Sequence, residues 1–475
     1  MITKEFFISD IMKKAILIFI ISVSVSYSQS IYFPPLTGTA WESVSPASLG
    51  WNVDRIDSLY NFLQAKNSKA FLVLKNGKIV LEKYFGTYSS DSIWYWASAG
   101  KTLTAFLVGI AQNEGYFNLT DTSSKYLGNG WTSCPVEKEK KITILNQLTM
   151  TSGLKDNVPD PYCTLPSCLI YQADAGTRWA YHNAPYTLLD SVVMKSTGQS
   201  YNQYFFSRIR NRIGMNGLWL PSGYNNVYFS NARSMARFGI LVQNNGVWSS
   251  DTLMNDTLYF KKMTNTSQNI NLSYGYLWWL NGKTSYMLPQ TQFVFPGSWA
   301  PDAPEDMIAA LGKNGQILNI VPSMGIVLVR MGEAPDSSSE ITPYFNNEIW
   351  RKLNAVISNP SDIKSEKEAL SDFALHQNYP NPFNPSTKIS YAIAPPNLPE
   401  GEALRKVTLK VYDVLGNEVA TLVDEYKSAG VYEVNYDPAS SSMYPASGIG
   451  YASGVYFYQL RIGDQLQTKK MILLR

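Results

Sequence analysis

Ser98 and Lys101 are the side chains of this sequence with the clearest capacity for covalent catalysis. An aromatic run at residues 93–96 predicts a strand that stops just before them, and apolar residues at helical spacing over 103–110 predict a helix that begins at about Ser98. Lys101 then lies one turn later on the same face, where its amine can meet the serine hydroxyl. Because serine is a poor nucleophile until an adjacent base activates it, the pair predicts acyl transfer through a lysine-activated serine.

The same pattern also has a purely structural interpretation. Serine is a preferred helix N-cap, and a lysine in the first turn is commonly solvated. Ser-x-x-Lys also occurs at Ser152 with Lys155 and at Ser361 with Lys364. The spacing alone therefore does not define a site, and other residues must single out one copy.

Histidine is scarce in this chain, and this limits the chemistry. There are two histidines, His182 and His376, and no Gly-x-Ser-x-Gly motif. A Ser-His-Asp triad and a zinc site of the His-Glu-x-x-His kind are therefore disfavoured. If the chain is an enzyme, lysine or tyrosine must supply the base, and we expect no cofactor and no metal.

Two further motifs follow in the chain, one with Tyr181 and Asn183, the other with Lys313, Gly315 and Gln316. Each has a structural alternative: Asn183 can simply start the helix that follows it, and the Lys-x-Gly element, which is flanked by apolar strands, can be a hairpin turn. Both patterns also recur elsewhere in the sequence.

The ordered series Ser-x-x-Lys, Tyr-x-Asn and Lys-x-Gly, with its flanking sequences, resembles the serine β-lactamase and penicillin-binding-protein superfamily. The resemblance is to the β-lactamase-related, class C-like group of serine hydrolases, and it covers roughly residues 45–355. It implies an antiparallel sheet flanked by helices, with an inserted helical lobe, in an α/β (α+β) chain.

The resemblance also implies roles for the motif residues. Ser98 becomes acylated, a desolvated Lys101 takes its proton, and Tyr181, as a phenolate favoured by nearby lysines, shuttles protons. The backbone N–H groups of Ser98 and Gln316 hold the oxyanion. Lys313, next to Gly315, binds a substrate carboxylate, and Asn183 binds an amide or the lysine. The order of the two bases stays open.

One departure from the family pattern favours a general hydrolase. Asn314 stands where Thr or Ser is common, and this weakens the expectation of penicillin-type carboxylate binding. We therefore expect a serine hydrolase that cleaves an ester or small amide. A D-Ala-D-Ala-type peptidase, a β-lactamase, and a non-catalytic binding or sensor protein that keeps the pocket are the alternatives.

The composition limits which binding partners and which cellular compartment are expected. A formal net charge of +3 with 16% charged residues gives no basic stripe, so a nucleic-acid partner is disfavoured. Residues 1–28 read as a signal peptide, and no later run is long enough for a transmembrane helix. In an oxidising compartment Cys163 and Cys168 can close a small loop and leave Cys134 free, although the sequence leaves the pairing open.

The domains follow from shifts in pattern. A hydrolase domain is expected over residues 45–356, a linker over 357–371, and a small all-β sandwich over 372–475. Segments at 377–387, 411–416 and 452–458 resemble the C-terminal sorting domain of type IX secretion substrates. That resemblance implies recognition by the secretion machinery and a secreted or cell-surface location.

Overall fold

The structure is a computed structural model, and it describes residues 31–335, 342–358, 374–393, 404–413, 416–438, 452–463 and 465–474. The expected signal peptide and most of the expected linker lie outside the described residues. Within the described part of the chain, no helix is both long enough and apolar enough to cross a bilayer.

Along the sequence, most of the helices lie between the two groups of strands that form the central sheet. Those described are α1 Ile56–Ala65, α2 Lys101–Asn113, α3 Ser124–Leu127, α4 Val136–Glu139, α5 Ile144–Leu148, α6 Asn183–Thr197, α7 Tyr201–Phe205, α8 Ala232–Gln243, α9 Thr257–Met263 and α10 Thr342–Ile357.

Strands occur at both ends of residues 45–356 and again after residue 373. Those described are β1 Ser68–Lys75, β2 Lys78–Tyr84, β3 Trp94–Tyr95, β4 Leu218–Ser222, β5 Asn225–Ser230, β6 Val247–Trp248, β7 Asp251–Thr252, β8 Trp279–Leu280, β9 Ser285–Tyr286, β10 Phe295–Pro296, β11 Ile308–Gly312, β12 Gln316–Val321, β13 Ile326–Gly332, β14 Ala374–Leu375, β15 Thr387–Ile393, β16 Arg405–Tyr412, β17 Glu418–Lys427, β18 Gly430–Tyr436, β19 Gly454–Ile462 and β20 Gln465–Leu473.

The central sheet has the strand order β2-β1-β13-β12-β11-β8. Its first hairpin turns at Asn76 and Gly77, whose φ angles of 49° and 83° suit the two-residue turn that the Asn-Gly pair predicts. β1 then pairs antiparallel with β13, so strands from opposite ends of the domain meet in one sheet. Strand patterns at both ends of this segment, with helical patterns between them, predict one sheet built from distant halves, and the pairing confirms that prediction.

Helices cover the sheet closely because small residues face it. Gly239 of α8 packs where a Cβ atom would lie 2.4 Å from a methyl of Val327 on β13. Burying these apolar faces against each other supplies most of the folding free energy of such a layered domain.

The C-terminal residues form two antiparallel sheets, β14-β15-β18 and β17-β16-β19-β20, around a separate apolar core. This is the expected all-β unit. It contacts the preceding part of the chain at Tyr379, whose hydroxyl donates to the carbonyl of Tyr344 and whose ring lies 4.9 Å from the guanidinium of Arg351.

The sequence pattern also predicts a strand over 274–279, a single helix over 201–213 and a helix-rich stretch from 98 to about 242, and each of these predictions is wrong in part. The strand expected over 274–279 is confined to β8 at its end, because Leu277 adopts a left-handed φ of 61°. The single helix expected over 201–213 is α7 followed by a π-helical turn, Phe206–Arg210. The hairpin formed by β4 and β5 lies inside a region expected to be helical.

Candidate active site

Ser98 lies in a short 3₁₀ turn, Ala97–Gly100, immediately before α2. The expectation that the helix itself begins at about Ser98 is corrected: α2 begins at Lys101. Ala97, which precedes the serine, has a left-handed φ of 47°. Such a conformation costs free energy for a residue with a side chain, so the surrounding structure must hold it.

The residue before this turn is fixed by hydrogen bonds to β5. The backbone N–H of Trp96 donates to the carbonyl of Tyr228, and its indole N–H donates to the Ser230 hydroxyl at 2.7 Å. β3 pairs with β5 just upstream. A short strand and a buried tryptophan therefore set where Ser98 emerges.

Ser98, Lys101 and Asn183 are brought into direct contact. The Lys101 ammonium Nζ lies 3.0 Å from Ser98 Oγ and 2.7 Å from Asn183 Oδ1. In a 3₁₀ turn, side chains three residues apart eclipse each other, which brings the serine and the lysine together. Asn183 is the first residue of α6, so the site joins the starts of two helices.

Lys101 is buried, with 2% of its surface exposed. Burial lowers the pKa of its ammonium from the ordinary 10.5 to about 7. Its neighbours include aromatic faces, with Nζ 4.0 Å from the Tyr186 ring centroid and 5.1 Å from that of Tyr181. At neutral pH a substantial fraction of Lys101 is therefore the neutral amine that a general base must be.

Tyr181 lies beside the serine, within hydrogen-bonding reach of its hydroxyl. Its ring stacks on Trp279 at 5.9 Å, packs edge-to-face with Tyr274, and lies tilted against Trp179. Burial raises the pKa of Tyr181 well above its ordinary range. The expectation of a phenolate is therefore corrected: in this apolar surrounding the charged form is disfavoured, and Tyr181 is a neutral phenol.

The Lys-x-Gly element forms the turn Lys313–Gly315 between β11 and β12, as the hairpin alternative predicted. The end of β11 lies against the Ala97–Gly100 turn, because a Cβ atom on Gly312 would lie 2.3 Å from the Trp96 carbonyl oxygen and 3.0 Å from Ala99 N. The Lys313 side chain is exposed. The third motif thus lies next to Ser98, and it is Gly312 that makes the closest approach possible.

Gln316 is oriented differently from the expectation. It lies on β12, and β11 separates it from the sheet edge where the short strand β8 pairs. Its side chain is fully buried, donates to the Gly332 carbonyl at 2.7 Å, and accepts from the Gly332 N–H. This side-chain amide is bonded to β13, and the backbone of Gln316 pairs with Gly312 of β11. The expected role of the Gln316 backbone N–H as a donor to the oxyanion is therefore not supported by its position.

The register of β11 indicates a backbone donor for the expected oxyanion site that differs from Gln316. Asn281 N–H donates to the Met307 carbonyl, which marks the side of β11 that faces β8. Backbone polar groups alternate along a strand, so Lys313 N–H points to the same side because Gly312 is extended (φ −126°, ψ 155°). β8 pairs only with Ile308 and Ala309, and the rest of that side is not occupied by β8.

α6 carries two further buried residues near the site that the sequence did not single out. Tyr186, one turn after Asn183, supplies the ring beneath Lys101. Asp190, one turn further, is buried, accepts from the Asn226 amide at 2.9 Å, and has its pKa raised by burial to about 7. The spacing of these residues along the helix after the Tyr-x-Asn motif was the only available signal.

A disulfide loop borders the site. Cys163 and Cys168 are bonded, and Cys134 is a free thiol, which is the arrangement the sequence allowed but did not settle. The carbonyl of Pro161 accepts from Ala184 N–H, beside Asn183, so the loop rests on the start of α6. Tyr162, immediately before Cys163, lies close to Tyr181.

A second loop approaches the site from another side. Gln292 donates from its side-chain amide to the carbonyl of Trp179, next to the tyrosine motif. Phe293 and Val294, which follow, are among the most exposed apolar side chains of the described residues, at 66% and 57%. The rim of the site therefore carries apolar surface on Tyr162 and Phe293.

A lysine-paired serine at the start of a buried helix, beside the end of an antiparallel strand, defines a β-lactamase-like protein. The beta-lactamase family model matches residues 63–340. That match spans more than half of the 475 residues, and the chain belongs to this family.

Relatives among curated proteins match parts of the chain. The candidate penicillin-binding protein PbpX of Bacillus subtilis (strain 168) is 27% identical over 181 residues, 34% of this chain and 44% of that protein. The beta-lactamase of Escherichia coli (strain K12) is 26% identical over 139 residues, 28% of this chain and 36% of that protein. These matches span less than half the length of either relative.

Solved structures share the fold. A candidate β-lactamase from Bacteroides dorei DSM 17855 gives a TM-score of 0.52 at 16% identity, over 65% of this chain and 99% of that one. A candidate 6-aminohexanoate-dimer hydrolase from Bacillus anthracis gives 0.51 at 20% identity, over 68% and 90%. At these identities the likeness describes the fold.

Proposed function

We propose that this protein is a serine hydrolase that forms an acyl-enzyme on Ser98 and hydrolyses an ester or small amide. The observation that carries the proposal is the contact between Ser98 Oγ and the buried Nζ of Lys101, at 3.0 Å. A nucleophile and a base within hydrogen-bonding distance, with the base oriented by a third group, is the arrangement that activates a serine. Here Asn183 is that third group.

Acylation begins when the neutral amine of Lys101 takes the Ser98 proton as Oγ attacks the substrate carbonyl. The tetrahedral intermediate collapses and expels an alcohol or amine, which must be protonated. Tyr181, as a neutral phenol, gives its proton to the leaving group and recovers one from the Lys101 ammonium. Water then attacks the acyl-enzyme, and the protons move in the reverse order. Water gives a proton to Tyr181, Tyr181 gives one to Lys101, and Lys101 returns one to Ser98 Oγ as the acid leaves.

The oxyanion needs donors on the side of the carbonyl away from Lys101. We assign this role to the backbone N–H groups of Ser98 and Lys313, the latter because its N–H points to the side of β11 beyond β8. Donors fixed in the backbone cost little reorganisation during the reaction, and losing one such donor typically slows catalysis by about 100- to 1000-fold.

The apolar rim favours a substrate with an apolar group. Tyr162 and Phe293 stand on loops that approach the tyrosine motif from two sides, and both are exposed. An acyl or alkoxy chain that covers them removes apolar surface from water, which stabilises binding by about 25 cal/mol per Å². An apolar ester is therefore the substrate class that this rim supports best.

A substrate panel tests the proposal. We expect wild-type protein to hydrolyse p-nitrophenyl esters with kcat/KM rising from acetyl to octanoyl, and Ser98→Ala to be inactive. Phe293→Ser should flatten the chain-length dependence, whereas Leu258→Ser, at a comparably exposed position on α9 outside the rim, should not. Turnover confined to nitrocefin or to D-Ala-D-Ala peptides would instead favour a β-lactamase or a cell-wall peptidase.

We further propose that the C-terminal sandwich directs type IX secretion and thereby a secreted or cell-surface location. The proposal is supported by the sequence resemblance at residues 377–387 and 452–458 and by an independent apolar core. Expression of the full chain and of a chain ending at residue 358 in a host that has this pathway tests it. Equal release of both forms would contradict it.

A further inference from the structure

Arg330 is a fully buried arginine that no catalytic step uses. It lies on β13 with 0% of its surface exposed, between β1 and β12 in the sheet. Burial lowers the pKa of its guanidinium to about 9, which still leaves it charged at neutral pH. A charge held in the interior is costly, so its hydrogen bonds must compensate for its desolvation.

The guanidinium donates to the turn that carries the third motif. Nη1 donates to the carbonyl oxygens of Asn314 (2.7 Å) and Gly315 (3.0 Å). Nη2 donates to the carbonyls of Lys66 (2.7 Å) and Glu333 (3.0 Å).

Two further contacts fix the guanidinium itself. Its Nε donates to the hydroxyl of Ser68 at 3.0 Å, and its guanidinium carbon lies 4.9 Å from the ring centroid of Phe345 on α10. One side chain therefore ties the turn to β1, β13 and α10 together.

The turn needs such support because of its backbone. Asn314 and Gly315 both have left-handed φ angles, 63° and 74°. A left-handed residue other than glycine is held only where its surroundings determine it. The Asn314 side chain adds one bond, from Nδ2 to the Tyr95 hydroxyl at 2.7 Å. The two carbonyls that Arg330 binds belong to the two peptide groups on either side of Gly315.

The Lys313–Gly315 turn directly follows β11, whose end lies beside Ser98. Gly312 lies against the Trp96 carbonyl and Ala99 N with no space for a side chain, and Lys313 follows it directly. A shift of the turn by a few tenths of an ångström would move the Lys313 N–H relative to Ser98. Positioning errors of that scale lower the rate of a preorganised site.

We propose that Arg330 is a positioning residue: it fixes the Lys313–Gly315 turn through two carbonyl oxygens and thereby places the backbone donor for the oxyanion. The inference rests on the proposed function, since it concerns the same acyl-transfer site. Lysine cannot replace arginine here, because its single ammonium cannot present five donors in a planar fork.

Arg237 offers a matched control. It is also a buried arginine, at 6% exposure, and its Nη groups donate to the carbonyls of Ile213 (2.9 Å) and Pro35 (2.7 Å). Its guanidinium lies 5.2 Å from the Trp41 ring. It thus resembles Arg330 in burial and bonding, but none of its recorded partners belongs to the site.

The test compares Arg330→Lys with Arg237→Lys in the full chain. We expect both variants to lower the melting temperature by similar amounts. Only Arg330→Lys should slow acylation by a p-nitrophenyl ester, by about 10- to 100-fold, with KM changed little. It should also reduce the preference for an ester over the matching thionoester, whose sulfur fits an oxyanion site poorly. A merely structural arginine would not change that preference.

Ser68→Ala keeps the test decisive if Arg330→Lys does not fold. It removes only the acceptor of Nε, and we expect a several-fold loss in acylation rate with a small change in melting temperature. An active wild type in which Arg330→Lys or Ser68→Ala keeps the wild-type acylation rate and ester preference overturns the inference. A wild type that shows no Ser98 adduct instead overturns the proposed function itself.

Discussion

The Nζ of Lys101 lies 3.0 Å from the Oγ of Ser98 while 2% of the lysine surface is exposed. The same burial that brings the amine to the hydroxyl also lowers its pKa to about 7. One structural fact therefore gives both the geometry and the protonation state of a base.

The pH dependence of acylation should follow Lys101. Below its folded pKa the lysine is an ammonium and cannot accept the serine proton, so we expect kcat/KM to rise with pH through a midpoint near 7. Lys101→Met should lose at least about 100-fold in acylation rate. Asp190→Asn is the control, because the pKa of this buried carboxyl is also about 7. Loss of the midpoint in Asp190→Asn would show that Asp190 controls it.

Stability should show the same titration. The folded pKa of Lys101 is below its unfolded value of 10.5, so the unfolded chain binds more protons between pH 7 and 10.5 and this group makes stability increase with pH over that window. Urea unfolding of wild type and Lys101→Met across this pH window measures how the free energy of unfolding changes with pH in each. If this free energy had the same slope against pH in both proteins, the lowered pKa would be contradicted.

A negative charge at Asn183, which contacts Lys101, should change the pH at which Lys101 titrates. Asn183→Asp places a carboxylate where the amide oxygen now accepts from Nζ at 2.7 Å. An opposite charge at this distance favours the ammonium, so the midpoint of kcat/KM should move up by about 1 pH unit or more. The exposed Asn211→Asp is a suitable control, and an unchanged midpoint in Asn183→Asp would argue against Lys101 as the titrating base.

Gly312 should tolerate no side chain. Its φ of −126° is open to any residue, so the obstacle is the Trp96 carbonyl oxygen 2.3 Å from the position of an added Cβ atom. We expect Gly312→Ala to lower both melting temperature and acylation rate. Gly454→Ala, where no atom lies within 4 Å of the added Cβ, is the matched control. Wild-type acylation in Gly312→Ala would mean that β11 does not set the site.

The disulfide loop should affect substrate binding more than chemistry. The double variant Cys163→Ser, Cys168→Ser frees the loop that carries Tyr162 and rests on Ala184. We expect a several-fold higher KM for octanoyl esters, with little change in the rate at which a small fluorophosphonate labels Ser98. Cys134→Ser should be neutral. A KM unchanged from wild type would exclude the loop from the binding site.

The sequence predicted well those features that depend on local pattern. The Asn76-Gly77 hairpin and α8 lie where periodicity and turn chemistry indicated, and the sheet assembled from both ends of the domain was anticipated. The contact of Ser98 with Lys101 followed from their spacing, although the α-helix starts at Lys101 because Ala97–Gly100 form a 3₁₀ turn before it.

Features that depend on long-range packing were not accessible from the sequence. The side of a strand on which an N–H points depends on register, so Gln316 was chosen as the oxyanion donor where the register favours Lys313. The protonation of Tyr181 depends on burial among the ring of Trp179, two residues away, and the rings of Tyr274 and Trp279, which come from a distant segment of the chain. Arg330 had no sequence signal, because most of its hydrogen-bond partners are backbone carbonyls.

The most direct test of the central claim is intact mass spectrometry of the full chain after reaction with a fluorophosphonate, followed by peptide mapping. We expect one adduct in wild type, located on Ser98, with a labelling rate that rises with pH through about 7. Ser98→Ala should show no adduct under the same conditions. An unlabelled wild type, or an adduct that persists in Ser98→Ala, would contradict the assignment of Ser98 as the acylated nucleophile.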